Sequence, residues 1–301
     1  MRCFTRVDWS NGQPLLEFAE GNTRLCKVPI VGEFLGFRVV DDARHCLGHY
    51  AFVSGGSELS WVPCPTREVI SSGRQCEGCR RRDPFNMAHN AHRGGFVSEG
   101  LRRYLAQEHW LYVATFADGS SKVGTAAVSR KFERVAEQGG VLVSFVAKAG
   151  NGIVVRTLED RVSDTLHLTQ VARKAAKDRA IARPIPLDDL HQMHAEMAEN
   201  VRSILRSWHR AADWQIVCES WSNPYLDTLC SGSERYSYPT PVSAGQHGLF
   251  PVAAFGSALI VTVNRGTNEV QYVVEMSGLV GRHIEFGEYR SAVPPIQSSF
   301  L

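Results

Sequence analysis

Residues 46–93 carry four cysteines, many glycines and prolines and little hydrophobic periodicity. Such a stretch cannot fold on an apolar core of its own and must be held by something else. Cys76-Glu77-Gly78-Cys79 is a C-x-x-C knuckle, in which one tight turn aims two thiolates at a single metal ion. Cys46 and Cys64 flank a candidate hairpin whose ends come together, so Cys46, Cys64, Cys76 and Cys79 form the simplest zinc set. In a competing set, His89 and His92, spaced H-x-x-H, replace one or two of the earlier cysteines. A redox C-x-x-C is a third reading, and it lacks the βαβ surroundings that such motifs have. Four thiolates would leave no open coordination position, so the expected zinc is structural. Cys3, Cys26, Cys218 and Cys230 are scattered and read as small buried apolar residues.

A chain of 301 residues is long for one small core, and 44% hydrophobic with 21% charged residues is an ordinary globular mixture. The start lacks the basic-then-apolar pattern of a secretory signal, and no run approaches the roughly 18 apolar residues of a membrane span. The expectation is a cytoplasmic protein with no membrane partner, whose eight cysteines are not a disulfide framework. A net charge of +2 does not itself advertise a nucleic-acid binder. Positive charge is instead concentrated locally, in Arg80-Arg81-Arg82 followed by Arg93, Arg102 and Arg103. That run is either a solvated connector or a phosphate-contacting surface, with Arg80, Arg81 and Arg82 as candidate substrate-binding residues.

Strand-like runs at 15–18, 25–31 and 34–40, separated by turn residues, predict an N-terminal β region. Two further runs, 110–116 and 121–124, flank the hairpin signal Ala117-Asp118-Gly119-Ser120. A helix is expected over 129–137, stopped by Gly139-Gly140, then a strand over 141–148. A long helical pattern starts at Ile153 and extends to about residue 182, with Val155, Leu158, Val162, Leu166 and Leu168 on it. Arg183-Pro184-Ile185-Pro186 ends that helix. Residues 188–210 read as an amphipathic helix and 214–286 as mainly β. His191 and His194, near Glu196 and Glu199, read as a solvated helix face rather than a metal site. The expected class is α+β, divided into an N-terminal β region (1–45), a zinc module with basic connector (46–108), a catalytic unit (109–182) and a C-terminal helix and β region (187–301).

The unit at 109–182 resembles the GIY-YIG nuclease superfamily. Its hairpin, helix, strand and helix follow the ββαβα order of that core. Tyr112 in Leu111-Tyr112-Val113 stands for the first half of the signature, and Lys122-Val123-Gly124 for the second, with lysine where tyrosine names the superfamily. His109 to Ala114, Lys122 to Thr125, Arg134 to Gly140 and Leu158 to Ser163 are similar to a bacterial branch with a cysteine-rich segment ahead of the domain. The resemblance implies a hydrolase that cleaves phosphodiesters in DNA or RNA with a divalent metal. Beside it stands a chemical reading of the same residues. Tyr112 would be the general base, ionised with help from Lys122; Arg134 would fork onto the phosphate; Glu159 would hold Mg²⁺. Gln138 is expected to act mainly at the helix stop, and His109 to face away from Tyr112 across the strand. The lysine leaves two alternatives open, a small-molecule or aminoacyl-RNA substrate on the same fold and a noncatalytic nucleic-acid-binding module.

Overall fold

Alternating apolar residues near the N-terminus form four strands, β1 (Arg2–Asp8), β2 (Leu15–Glu20), β3 (Arg24–Pro29) and β4 (Leu35–Val39). These belong to a computed structural model that describes residues 1–21, 23–53, 56–88, 94, 97–167, 174–208, 213–266 and 270–293. The architecture is mixed α+β. The cysteine-rich segment follows as a small hairpin, β5 (His49–Phe52) with β6 (Leu59–Val62), and three short helices, α1 (Glu77–Arg82), α2 (Phe85–Ala88) and α3 (Glu99–Leu105). Its apolar content is thin. Leu47 joins the core of the large sheet; otherwise, among the described residues, the four cysteines with Ile70 form one cluster and Leu101 and Leu105 with Phe52, Phe85, Val97 and Tyr104 another.

Next come β7 (His109–Thr115), β8 (Ser121–Ala127), α4 (Lys131–Glu137), β9 (Leu142–Ala149) and α5 (Gly152–Thr165), a hairpin, helix, strand and helix in that order. Gly119 at φ 79° closes the hairpin, and Gly139 at φ 75° ends α4, both conformations that favour glycine. Asn151 starts α5 by accepting the Ile153 N–H at 2.7 Å. The single long helix expected from 153 to 182 is two elements. His167 takes a left-handed φ of 51°, which no helix continues through, and α6 (Lys174–Ala182) is separate. Leu168, expected on that helix, lies outside the described residues.

The proline segment at 183–186 does end α6, and α7 (Leu187–Trp208) begins directly after it. β10 (Trp214–Ser222) then pairs antiparallel with β9, giving a second sheet in the order β10-β9-β7-β8. One face of that sheet packs Leu111, Val113 and Val146 against Val155, Leu158 and Val162 of α5 and Val201 and Leu205 of α7. The other packs Trp110, Tyr112 and Phe145 against Val135 of α4.

After α8 (Leu226–Leu229) the chain forms β11 (Arg235–Ser237), β12 (Gln246–Phe255), β13 (Ala258–Thr262), β14 (Gln271–Glu275) and β15 (His283–Phe286). These join the N-terminal strands in a nine-stranded sheet, β11-β14-β13-β12-β4-β15-β1-β2-β3, in which only β11 and β14 run parallel. Phe4, Leu16, Phe37, Leu249, Leu259, Val274 and Ile284 share one buried cluster, so strands from both ends of this sheet contribute to a common core. Consecutive chain segments therefore do not correspond to separate sheets: 1–45 and the end of the chain build one sheet together, and 187–222 completes the other. Within the nine-stranded sheet Trp9 donates its indole N–H to Gly256 O at 3.0 Å, and α4, which lies on the four-stranded sheet, comes so close to that turn that a side chain at Gly256 would meet Glu137 O at 2.9 Å. No helix among the described residues is long and apolar enough to cross a membrane.

His194 corrects the solvated-face reading of α7. It lies in the buried stripe Leu190, His194, Ala198, Val201, Leu205, whereas His191 is exposed. Its ring nitrogens meet Thr115 Oγ1 at 2.8 Å and Ser144 Oγ at 2.9 Å, tying α7 to β7 and β9. Burial, with Arg202 and His191 adding to it, holds its pKa down at about 4. The unfolded chain, with histidine near 6.5, therefore binds the proton more readily than the folded one. Stability contributed by neutral His194 is full above about pH 6.5 and falls as pH drops toward 4, by on the order of 3 kcal/mol. Denaturant midpoints measured from pH 7 to 4 should decline, and the decline should be shallower in His194→Gln.

Candidate active site and metal centre

Tyr112 stands opposite Gly124 in the β7–β8 ladder, and β8 is an edge strand. A Cβ at Gly124 would lie 2.5 Å from the Tyr112 hydroxyl and 2.6 Å from its ring carbon. The glycine of Lys122-Val123-Gly124 thus leaves the space across which the tyrosine ring lies. Gly124→Ala should force the buried ring to move and cost about 1–3 kcal/mol of stability, as overpacking does. Equilibrium unfolding and near-ultraviolet circular dichroism check this; an unchanged midpoint would mean the ring has room elsewhere.

The four residues singled out in the sequence act on one another at this edge. Burial is the main influence on the Tyr112 hydroxyl and raises its pKa to about 12. The Arg134 guanidinium pulls it down, by charge and by a hydrogen bond, while Glu159 and Glu137 push it up. Glu159, half-buried on α5, is likewise raised by burial, against the charges of Arg156, Lys122 and Arg134. Tyr112, Lys122, Arg134 and Glu159 therefore share one electrostatic neighbourhood.

Their division of labour differs from the sequence expectation. Lys122 donates its ammonium to Gln138 Oε1, and the cation acting on Tyr112 is Arg134. Burial outweighs that cation, so the phenol is harder to ionise than a free tyrosine, not easier. Gln138 has a second role besides capping α4, as the acceptor for Lys122. His109 is buried on the other side of the strand, its ring against Gly152 at the start of α5 and its Nδ1 2.8 Å from Gln107 O.

Two neighbours were not read from the sequence. Arg156 precedes Glu159 by one helical turn on α5, and its Nε is buried without a hydrogen bond. Its spacing of three residues from Glu159 was the available signal. Tyr104 on α3 lies near Arg130, Arg134 and Arg156, whose charges act against the effect of burial on its hydroxyl. No local pattern marks Tyr104; it reaches the site because Phe52 and Phe85 of the cysteine-rich module and His109 of β7 pack around its ring at 5.7–6.2 Å.

The four cysteines converge. All are buried, and their sulfurs lie within 4.8 Å of one another. Tetrahedral zinc with bonds of about 2.3 Å places sulfurs about 3.8 Å apart, and Cys64 and Cys76 are already at 3.9 Å. Cys76 caps α1 and Cys79 sits in its first turn, while Cys46 Sγ accepts the backbone N–H groups of Cys76 at 3.1 Å and Gly48 at 3.4 Å. Gly48, at φ 77°, lets the chain pass under Val62 O, which a Cβ would meet at 2.1 Å. Burial pushes the Cys46 thiol up to about 11 and raises Cys79 as well. Burial also acts against ionisation of Cys64, but the Thr66 hydroxyl and the backbone N–H groups of Glu68 and Thr66 overcome it and leave the thiol at about 6. A buried set of this kind suits a divalent metal, whose charge would let all four ionise. His89 and His92, the alternative ligands, lie outside the described residues.

Arg80, Arg81 and Arg82 are exposed on α1. Arg80 and Arg81 both pair with Glu77, at 2.7 and 2.8 Å, so part of the positive charge is answered locally. Arg93 lies outside the described residues. Comparison of the chain with protein-family models, with curated proteins and with solved structures finds no match.

Proposed function

We propose that this chain is a metal-dependent phosphodiesterase of the GIY-YIG type, acting on DNA or RNA, with a zinc-stabilised module beside the site. The observation that carries the reading is the meeting of Tyr112, Lys122, Arg134 and Glu159 at the edge of a sheet built in the order hairpin, helix, strand, helix. Three cations, Lys122, Arg134 and Arg156, act on Glu159 against the opposing charge of Asp160, an arrangement that favours an anionic ligand. Arg134 presents the planar fork that suits a phosphate. Tyr112 acts in this reading as a neutral hydroxyl that orients the attacking water or the phosphate, since burial disfavours its phenolate. Glu159 is half-buried and faces the charges of Arg156, Lys122 and Arg134, and its carboxylate is the group that would hold a divalent metal here. Mg²⁺ bound there would neutralise phosphoryl charge and make a bound water more acidic.

Labelled single-stranded and double-stranded DNA and RNA, incubated with the protein with and without Mg²⁺, provide the test. Cleavage should require the metal, fall sharply in Tyr112→Phe and Arg134→Lys, and weaken steeply with salt. Absence of cleavage on every substrate would sink the reading. A second reading, a small anionic substrate or an aminoacyl-RNA on the same site, draws on the pairing of Arg80 and Arg81 with Glu77, which thins the positive surface available to a duplex. It would be favoured if the polymers bind with no salt dependence.

A further inference from the structure

We propose that Asp41, His45 and His283 form a second divalent-metal site, separate from the four-cysteine cluster and with open coordination positions. Asp41 lies in the loop after β4, His45 directly precedes the cysteine-rich module, and His283 opens β15. No local sequence pattern joins them. One potential ligand atom from each lies within 4.8 Å of the others. His283 Nδ1 is 3.0 Å from Asp41 Oδ2, His45 Nε2 is 3.7 Å from Asp41 Oδ1, and the two imidazoles stack with centroids 4.0 Å apart. Bonds of about 2.0–2.2 Å to one ion put neighbouring ligand atoms about 3–3.5 Å apart, so small side-chain rotations would complete the set.

A simple His–Asp pair would explain Asp41 and His283 but not His45. The Nε2 of His45 is buried and has no hydrogen-bond partner, and a buried polar nitrogen of that kind calls for one. Its position is fixed by the backbone: His45 N–H donates to Gly281 O at 2.7 Å, and Val40 N–H donates to His283 O at 2.9 Å. The ring is thus held toward Asp41 by the backbone and by its stacking on His283, with no hydrogen bond at Nε2. Two imidazole nitrogens and one carboxylate are the donor set of borderline ions such as Zn²⁺ or Co²⁺. Three protein ligands leave at least one position for water or substrate. His45 and His283 also line a cavity of about 240 Å³ with Trp61, Arg67, Cys46 and Cys64, which leaves room beside the two imidazoles for a small ligand. The inference uses none of the residues of the proposed phosphodiesterase site.

Co²⁺ titration of the full chain carrying one zinc equivalent tests it. A second equivalent should bind with weak d–d absorption and no thiolate charge-transfer band, because its donors are nitrogen and oxygen. His45→Gln and His283→Gln, made separately, should each weaken that second equivalent at least tenfold and leave the first metal and the far-ultraviolet circular dichroism unchanged. The proposal is overturned if wild-type protein takes up no second equivalent. A thiolate band on the second ion, which would point to Cys3 or the cluster, or second-site affinity that survives both substitutions also overturns it. Loss of nuclease activity is not a readout here, so failure of this site and failure of the phosphodiesterase reading remain distinguishable.

Discussion

Removal of metal from the four-cysteine cluster should unfold residues 46–82 first, and Cys76→Ser should abolish that site. The reason lies in how little else holds the segment. Among the described residues Ile70 is the one further apolar side chain in the cluster around the four sulfurs, and the neighbouring cluster around Leu101 is built largely from α3 and the residues flanking it. Structural zinc in small domains supplies about 10–16 kcal/mol of apparent binding energy, far more than that amount of buried surface could replace. Loss of one thiolate also leaves three others crowded and buried; Cys46 and Cys79 already resist ionisation without a metal. Metal analysis should find about one ion per chain bound by this cluster in wild-type protein and none there in Cys76→Ser. Hydrogen exchange should show protection lost across 46–82 while the strands of the nine-stranded sheet keep theirs. A Cys76→Ser protein with undiminished protection in that segment would show that the cluster is not structural.

Glu159→Gln should lower metal-dependent cleavage by about 10³-fold while raising thermal stability slightly. The activity loss follows from removing the carboxylate on which Lys122, Arg134 and Arg156 act, since an ion's stabilisation of transition-state charge is worth several kcal/mol. The stability gain follows from the direction of the pKa shift. Folding raises the Glu159 pKa, so the ionised form present at neutral pH is disfavoured by the fold, and neutral glutamine removes that penalty. Glutamine is also as good a helix former as glutamate. Opposite movements of activity and melting temperature are what a functional residue in a strained setting produces, and a merely structural residue would lose both. Full activity in Glu159→Gln would strike the residue from the site.

Much of the local structure was legible. Gly119 and Gly139 marked a turn and a helix end because only glycine adopts their backbone angles without strain. The amphipathic pattern over 188–210 marked α7, and Cys76-x-x-Cys79 marked a metal knuckle. Where local pattern and packing disagreed, packing decided. His194 occupies an apolar stripe because Thr115 and Ser144, 79 and 50 residues away, supply its hydrogen bonds. Nothing on α7 itself announces those partners.

By itself, the sequence determined the segments whose cause lies within a few residues: the hairpin at 117–120, the hairpin, helix, strand and helix order over 109–165, and the Cys76-x-x-Cys79 knuckle. Only the tertiary structure decided the rest. It placed β15 between β4 and β1, so that the two ends of the chain build one sheet. It set Arg134 rather than Lys122 against the Tyr112 hydroxyl and then buried that hydroxyl deeply enough to reverse the expected direction of its pKa. It also brought Asp41, His45 and His283 together across more than two hundred residues of chain. Backbone propensity and turn chemistry act between neighbours in sequence, whereas desolvation and charge depend on distance in space, and distance exists only once the sheets have closed.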